Sequence, residues 1–166
     1  KETALLDCSG KNETSPLCEE RSEALASIKK LKALKSELLK INVELWSEQE
    51  YKSILSLEEE GDDLFENGFF GKSSQIYTNA ILQSEVLIDE GSLLFNQYIE
   101  DGYKSLAEKN QLKAEDLFKK AIMIFPDSES ALNGLSRAGV LEDVLKIKEE
   151  VELLMKINSF DDALLL

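Results

Sequence analysis

The chain has 166 residues, 43% of them apolar, with 33 acidic against 19 basic residues and a formal net charge of −14. That length suits one ordinary domain, or a small domain plus an extended helix, and the apolar content excludes wholesale disorder. The acidic charge argues against a nucleic-acid partner, which needs a basic surface, and favours a neutral or basic protein or peptide partner.

The composition predicts an all-α fold without catalytic machinery. There are only 2 Pro and 8 Gly, and Leu, Glu, Lys, Ser and Ala dominate the rest. The sequence contains no histidine, which removes the commonest general base and metal ligand. No run reaches the roughly 18 apolar residues of a membrane helix. We therefore expect no enzyme activity, no catalytic residues, no metal and no cofactor.

Residues 1–18 form the first predicted segment, a loop that carries both cysteines, Cys8 and Cys18. The turn-forming residues between them make a closed loop sterically easy, so we expect a structural disulfide in an oxidising compartment. Two free thiols and a redox or metal pair are the alternatives. The chain begins at Lys1, which leaves room for a preceding signal peptide or membrane anchor. An extracytoplasmic, periplasmic or secreted protein is expected.

Residues 19–53 form the second predicted segment, a long helix. Neither Pro nor Gly occurs from Glu19 to Glu60, so one continuous helix is expected. Apolar residues at 3.5-residue spacing form a candidate coiled-coil dimer seam of Leu31, Leu34, Leu38, Ile41 and Leu45. The alternatives are packing of this face on the chain's own domain, or a hairpin around residues 47–50.

Residues 54–166 form the third segment, in which short helices alternate with turns. Turns are predicted at the segments NGFFG, DEGS, EKNQ, FPDSES and RAG. Each helix between them is too short to be stable alone, so we expect antiparallel packing.

Two stretches of this segment, 61–81 and 102–122, match each other at an offset of 41 residues. Both carry a glycine and then small, aromatic and small residues on one helical face. Small residues let two helix backbones approach closely, and the aromatic ring fills the space beside them. The matched pairs are Gly61 with Gly102, Phe65 with Leu106, Ser73 with Ala114, Tyr77 with Phe118, Ala80 with Ala121 and Ile81 with Ile122.

This pattern resembles the tetratricopeptide repeat (TPR), with Pro126 also in place in the second copy. The resemblance implies an all-α TPR-like solenoid preceded by the long helix. The offset exceeds the usual repeat of about 34 residues, so we expect a longer second helix or a longer turn in the first copy. MKINSFDDALLL at the C-terminus resembles the turn and second-helix start of a truncated third repeat. We therefore expect either that the chain is a fragment of a larger protein or that its C-terminus is buried in a partner.

Gly71-Lys72-Ser73 matches the last three residues of the P-loop motif that binds nucleotides, but we assign these residues to the start of a helix. A P-loop needs glycine five residues before Gly71, where Glu66 stands, and a preceding apolar strand, where the sequence is acidic. In the repeat, Asn67-Gly68 is expected to form the turn between two helices. No nucleotide is expected.

The resemblance implies a non-catalytic protein-interaction scaffold whose first helices line a partner groove. The corresponding positions here are Glu58, Asp62, Phe65, Asn96, Ile99 and Tyr103. Their acidic members favour a basic or amphipathic helical ligand over a C-terminal carboxylate. Internal packing of these residues on residues 20–60 is one alternative. The alternative function is a coiled-coil homodimerisation module for an effector domain outside this chain.

Overall fold

The computed structural model of the chain describes residue 8 and residues 15–164, with side chains as far as residue 157. The described residues contain no strand, so the predicted all-α class is confirmed. Their helices are α1 (Pro16–Lys40), α2 (Val43–Trp46), α3 (Glu48–Glu66), α4 (Phe70–Ala107), α5 (Gln111–Ile124), α6 (Glu129–Gly139) and α7 (Leu141–Leu164).

Helix α1 begins with a set of N-terminal signals. Ser15 has an extended backbone, and its Oγ accepts a hydrogen bond from the Cys18 amide at 3.3 Å. Pro16 follows at the start of the helix, where its missing N–H leaves no helical bond unmade. Glu19 places a negative charge in the first turn, at the positive end of the helix dipole. Cys18 therefore lies within α1 and not in the loop predicted for residues 1–18.

The single helix predicted from Glu19 to about Glu60 is wrong, because the chain turns between α1 and α3. Asn42 has a φ of 49°, in the left-handed region that asparagine tolerates better than most residues. The Trp46 Nε1 group donates to the carbonyl oxygen of Ile41 at 2.7 Å and satisfies an acceptor that the end of α1 leaves free. The turn lies slightly before the position of the hairpin alternative, 47–50.

The expected dimer seam on α1 is covered by the chain itself. Leu31, Leu38 and Ile41 are buried and Leu34 is half-buried, while Leu45 in α2 is 63% exposed. A homodimer through these five residues is therefore not compatible with the fold as it stands, since most of their apolar surface is already removed from water. The alternative in which this face packs on its own domain agrees with the structure.

The turn predicted at DEGS is also wrong, because residues 89–92 lie inside α4, which runs for 38 residues. Gly91 is buried there, and a Cβ on it would lie 2.8 Å from Cζ2 of Trp46. This glycine allows a close approach of the Trp46 ring and does not end the helix. The uninterrupted α4 accounts for the long offset between the two matched stretches.

The other predicted turns agree with the structure. Gly68 has a φ of 81° and follows the end of α3, where its amide bonds to the carbonyl of Phe65 at 3.0 Å. Its left-handed backbone is the conformation that closes many helices with glycine. EKNQ separates α4 from α5, FPDSES separates α5 from α6, and α6 ends at Gly139 of RAG.

The described chain divides into two compact units, each with its own packing. The first consists of Lys1–Leu93 with Met123–Phe125, and the second of Leu94–Ile122 with Pro126–Leu166. The division falls within α4, whereas the predicted boundary lies between residues 53 and 54. Helix α1, before that predicted boundary, and helix α3, which contains it, belong to the same unit. The expected separate helical segment at 19–53 is therefore part of the first unit.

The C-terminal part of the second unit consists of α6 and α7. Ser128 caps α6, since its Oγ accepts from the Ala131 amide at 3.3 Å. Helix α7 continues through Leu164, so the turn predicted within MKINSFDDALLL is wrong. Among the described helices, none is both long enough and apolar enough to cross a membrane.

Candidate interaction surfaces

The first matched stretch places an aromatic ring directly on a glycine. A Cβ on Gly61 of α3 would lie 2.9 Å from Cε1 of Tyr77 in α4, so only glycine permits this contact. Ser73, one turn before Tyr77, donates from its buried Oγ to the carbonyl oxygen of Gly61 at 2.8 Å. The small-aromatic-small pattern therefore holds α3 and α4 close together.

The second matched stretch repeats this geometry in the second unit. A Cβ on Gly102 would lie 2.8 Å from the Phe118 ring, and one on Gly134 of α6 would lie 2.2 Å from it. Phe118, Ala114 and Ala138 form the centre of this core, with the side chain of Tyr103 packed against it. Three helices thus meet around one phenylalanine ring.

Gly71-Lys72-Ser73 has a structural role in the first turns of α4. The Gly71 amide, which a phosphate would require, donates instead to the Glu20 carboxylate of α1 at 3.2 Å. The Lys72 Nζ lies 5.6 Å from the centroid of the Phe69 ring, and Ser73 is buried against Gly61. A negative side chain thus takes the position at which the helix N-terminus would attract an anion.

The three predicted groove residues of the first unit are already in contact with the chain itself. Glu58 forms an ion pair with Lys35 of α1, and Asp62 accepts a hydrogen bond from the Tyr77 hydroxyl. Phe65 packs edge-on against the Phe70 ring at a centroid distance of 5.0 Å. Glu58 therefore contacts residues 20–60 of its own chain, through Lys35, in agreement with the alternative of internal packing.

Tyr77 is buried, and burial together with the hydrogen bond to Asp62 raises the pKa of its hydroxyl well above the ordinary value. Both effects disfavour the phenolate, because a negative charge would be poorly solvated and would face a carboxylate. Asp62 and Tyr77 therefore form a fixed pair between α3 and α4.

The other three predicted groove residues lie in the second unit and have different surroundings. Asn96 is exposed, whereas Ile99 and Tyr103 are half-buried against the Phe118 core. The Tyr103 hydroxyl donates to the carbonyl oxygen of Ser130 at 3.1 Å, and Arg137 lies over its ring. Asp62 and Asn96 are thus the exposed members of the six predicted positions, and Asp62 is already bonded to Tyr77.

A different surface of the first unit is open: the groove between α3 and α4, which we call the α3–α4 groove. It encloses about 380 Å³. Its floor contains the buried Ile54 and Leu87, and its wall contains Leu82 and Val86, which are 54% and 66% exposed. Ser53, Gln83, Glu50 and Glu90 complete the lining.

One feature of the amino-acid sequence points to the α3–α4 groove. Leu82 and Val86 are four residues apart on α4, so they share one face of the helix, about 140–180° around it from Tyr77. The helix therefore carries apolar residues on a second side as well, and one neighbouring helix cannot cover both sides. Periodicity locates such apolar sides, but it does not tell which of them remains open.

The carboxylate of Glu50 is fixed at the edge of the α3–α4 groove. Its Oε2 accepts a hydrogen bond from the Ser47 hydroxyl at 2.7 Å. This bond, with the local backbone bond, lowers the pKa of Glu50 below its ordinary value. The edge of the groove therefore carries an oriented negative charge beside apolar surface.

The predicted disulfide is present between Cys8 and Cys18, with a Cα–Cα distance of 5.6 Å. Cys18 is buried, and Arg21, Ser22 and Leu25 surround the pair. The part of the chain that the structure describes contains no group of three or more His, Cys, Asp or Glu side chains arranged to hold a metal ion. Comparison with protein-family models, with curated proteins and with solved structures finds no match to this chain.

Proposed function

We propose that this chain is a non-catalytic protein-interaction module, a helical scaffold of the TPR type, and that its α3–α4 groove binds an amphipathic helical segment with basic flanks. The observation that carries the proposal is the exposure of Leu82 and Val86 side by side within a concave surface. Adjacent exposed apolar side chains in a groove are typical of a binding site.

The electrostatics of the groove support a basic partner. Glu50 and Glu90 line it, and none of the described residues that line it is basic. Complementary charge on a partner would steer association and fix its register, while the apolar floor would supply most of the affinity. The net charge of −14 acts in the same direction over a longer range.

The shape of the groove supports a helix as the ligand. A groove between two packed helices accepts the apolar face of a third, through side chains at positions i, i+3 or i+4, and i+7. Such a ligand would cover Leu82 and Val86 and bring its flanking lysines near Glu50 and Glu90.

The test is fluorescence anisotropy with a synthetic helical peptide of about 18 residues, or five turns, that carries leucine at one face and lysine elsewhere. The same peptide with glutamate in place of lysine is the control for charge. We expect binding of the lysine peptide, and binding weaker by about tenfold or more, or 1.4 kcal/mol, with the glutamate peptide.

Two variants of α4 locate the binding site. Val86→Asp places a charge in the groove, whereas Leu93→Asp changes a residue that is equally exposed, at 69%, but lies outside the groove lining. We expect Val86→Asp to abolish binding of the lysine peptide and Leu93→Asp to leave it within about twofold. Equal losses in the two variants, or no binding to the unaltered chain, would refute the proposal.

We further propose that the module is extracytoplasmic. The Cys8–Cys18 disulfide supports this compartment, because such bonds persist in oxidising surroundings and are rare in the cytosol. The test is alkylation of the chain at the moment of lysis of the cells that make it. The proposal is supported if both cysteines react with the alkylating reagent only after reduction. It is contradicted if both react before reduction.

A further inference from the structure

The distal part of α7 is exposed on every face of the helix. From Lys146 to Ile157, every described side chain is exposed. The large apolar residues among them are Ile147, Val151, Leu153, Leu154, Met155 and Ile157. An isolated helix of this length is marginal in water, and so much exposed apolar surface marks a site of association.

Four apolar residues of α7 follow a coiled-coil register. Val144, Ile147, Val151 and Leu154 are separated by three, four and three residues, which is the a-d-a-d spacing of a heptad repeat. The two a positions carry β-branched valine and the two d positions carry isoleucine and leucine. In parallel assemblies, β-branched a positions with leucine at d favour two strands.

The charges beside this seam are complementary to those of a second, parallel copy. Asp143 occupies position g and Lys148 the following e position, and these positions face each other across a parallel pair. The only present partner described for Lys148 is Glu152 at 3.8 Å, in a pair that is 63% and 57% exposed and therefore weak. In an antiparallel pair, g positions face g positions, and both Asp143 and Glu150 are acidic.

We propose that a second copy of this chain docks on α7 as a parallel two-stranded coiled coil through Val144, Ile147, Val151 and Leu154. The seam is short and the chain is acidic, so the dimer is expected to dissociate on dilution and to strengthen with salt. This interface differs from the predicted seam on α1, which is buried within the first unit, and it does not depend on the α3–α4 groove.

The test is sedimentation velocity of the chain over a range of concentrations up to about 1 mM, where an association of only 4 kcal/mol becomes visible. Leu154 and Leu153 form a matched pair, since each is 59% exposed but only Leu154 belongs to the seam. We expect Leu154→Lys to abolish the dimer and Leu153→Lys to retain it. A monomer at every concentration, or a dimer that both variants lose equally or keep equally, would overturn the proposal.

Cross-linking tests the parallel orientation. In a parallel pair, the two d positions at 154 lie next to each other, so a Leu154→Cys chain should form an intermolecular disulfide under mild oxidation. A Leu153→Cys chain should not, because position c points away from the seam. Cys8 and Cys18 remain bonded to each other in both variants. A cross-link that forms only at position 153, or at neither position although the chain is dimeric, would contradict this arrangement.

Discussion

The ring of Phe118 lies where a side chain on Gly134 would have to be: a Cβ on that glycine would come within 2.2 Å of the ring. No real Cβ makes such a contact, and Phe118 is fully buried, so the ring has little room to move. The glycine in the middle of α6 is therefore required by packing, although glycine weakens a helix by itself.

Gly134→Ala is expected to destabilise the chain by about 1–3 kcal/mol, the usual cost of an overpacked core. Gly139→Ala is the matched control, because it lies in the same helix and nothing lies within 4 Å of the position of its Cβ. That variant should be neutral or gain up to about 1 kcal/mol from helix propensity. Urea denaturation followed by circular dichroism measures both. Equal stability of the two variants would show that the Phe118 ring moves aside.

The ion pair between Lys35 and Glu58 is expected to contribute more than the one between Lys30 and Glu85. Both connect α1 to a neighbouring helix, but the side chains of the first pair are 23% and 19% exposed and those of the second 56% and 43%. Double-mutant cycles with alanine should give a coupling free energy of about 1 kcal/mol or more for the first pair and below about 0.5 kcal/mol for the second. Indistinguishable couplings would mean that solvent screens both pairs alike.

Tyr77 is expected to make the chain unstable at alkaline pH. Its folded-state pKa is raised above the ordinary value of 10.0, so the stability it contributes is complete below that pH and is lost as the pH rises through and beyond it. Tyr77→Phe should therefore reduce the decline in unfolding free energy above pH 10.0. Because burial also raises the pKa of Tyr51, part of the decline should remain. An unchanged pH dependence in Tyr77→Phe would show that Tyr77 does not control the alkaline transition.

Reduction of the Cys8–Cys18 bond is expected to destabilise α1 at its N-terminus. Loop-closure entropy for a sequence separation of 10 residues gives an upper limit of about 3 kcal/mol. Cys8→Ser is the cleaner variant, because Cys18 is buried and serine there would add a desolvation cost. Thermal unfolding of the unaltered chain and of Cys8→Ser, each with and without reductant, measures the effect. A reductant-induced shift of equal size in both proteins would exclude the disulfide as its cause.

The sequence predicted the helical class and several helix ends well, because those features depend on local chemistry. Asn67-Gly68 ends α3 where glycine can adopt a positive φ, and Ser128 caps α6. The turn at Asn42 was missed, since a single asparagine in the left-handed region gives a far weaker signal than Gly or Pro. Gly91 was misread as a turn, although its role is to accept the Trp46 ring.

The candidate sites were less predictable than the helices. Heptad spacing identified an apolar stripe on α1, but whether such a stripe meets its own chain or another chain depends on tertiary contacts that spacing does not encode. The same limit explains why spacing alone does not identify Leu82 and Val86, and why it assigns Glu58 to a partner groove although Glu58 pairs with Lys35.

The length of α4 has an energetic consequence. Residues 70–93 of this helix belong to the first compact unit and residues 94–107 to the second, so unfolding of either unit would leave the other with a new helix end. A new helix end leaves backbone groups without their helical hydrogen bonds, so each part of α4 is more stable while the other part is folded. Cooperativity between the two units is therefore carried by a continuous backbone, and the chain is expected to melt in one transition where two separately closed domains would show two.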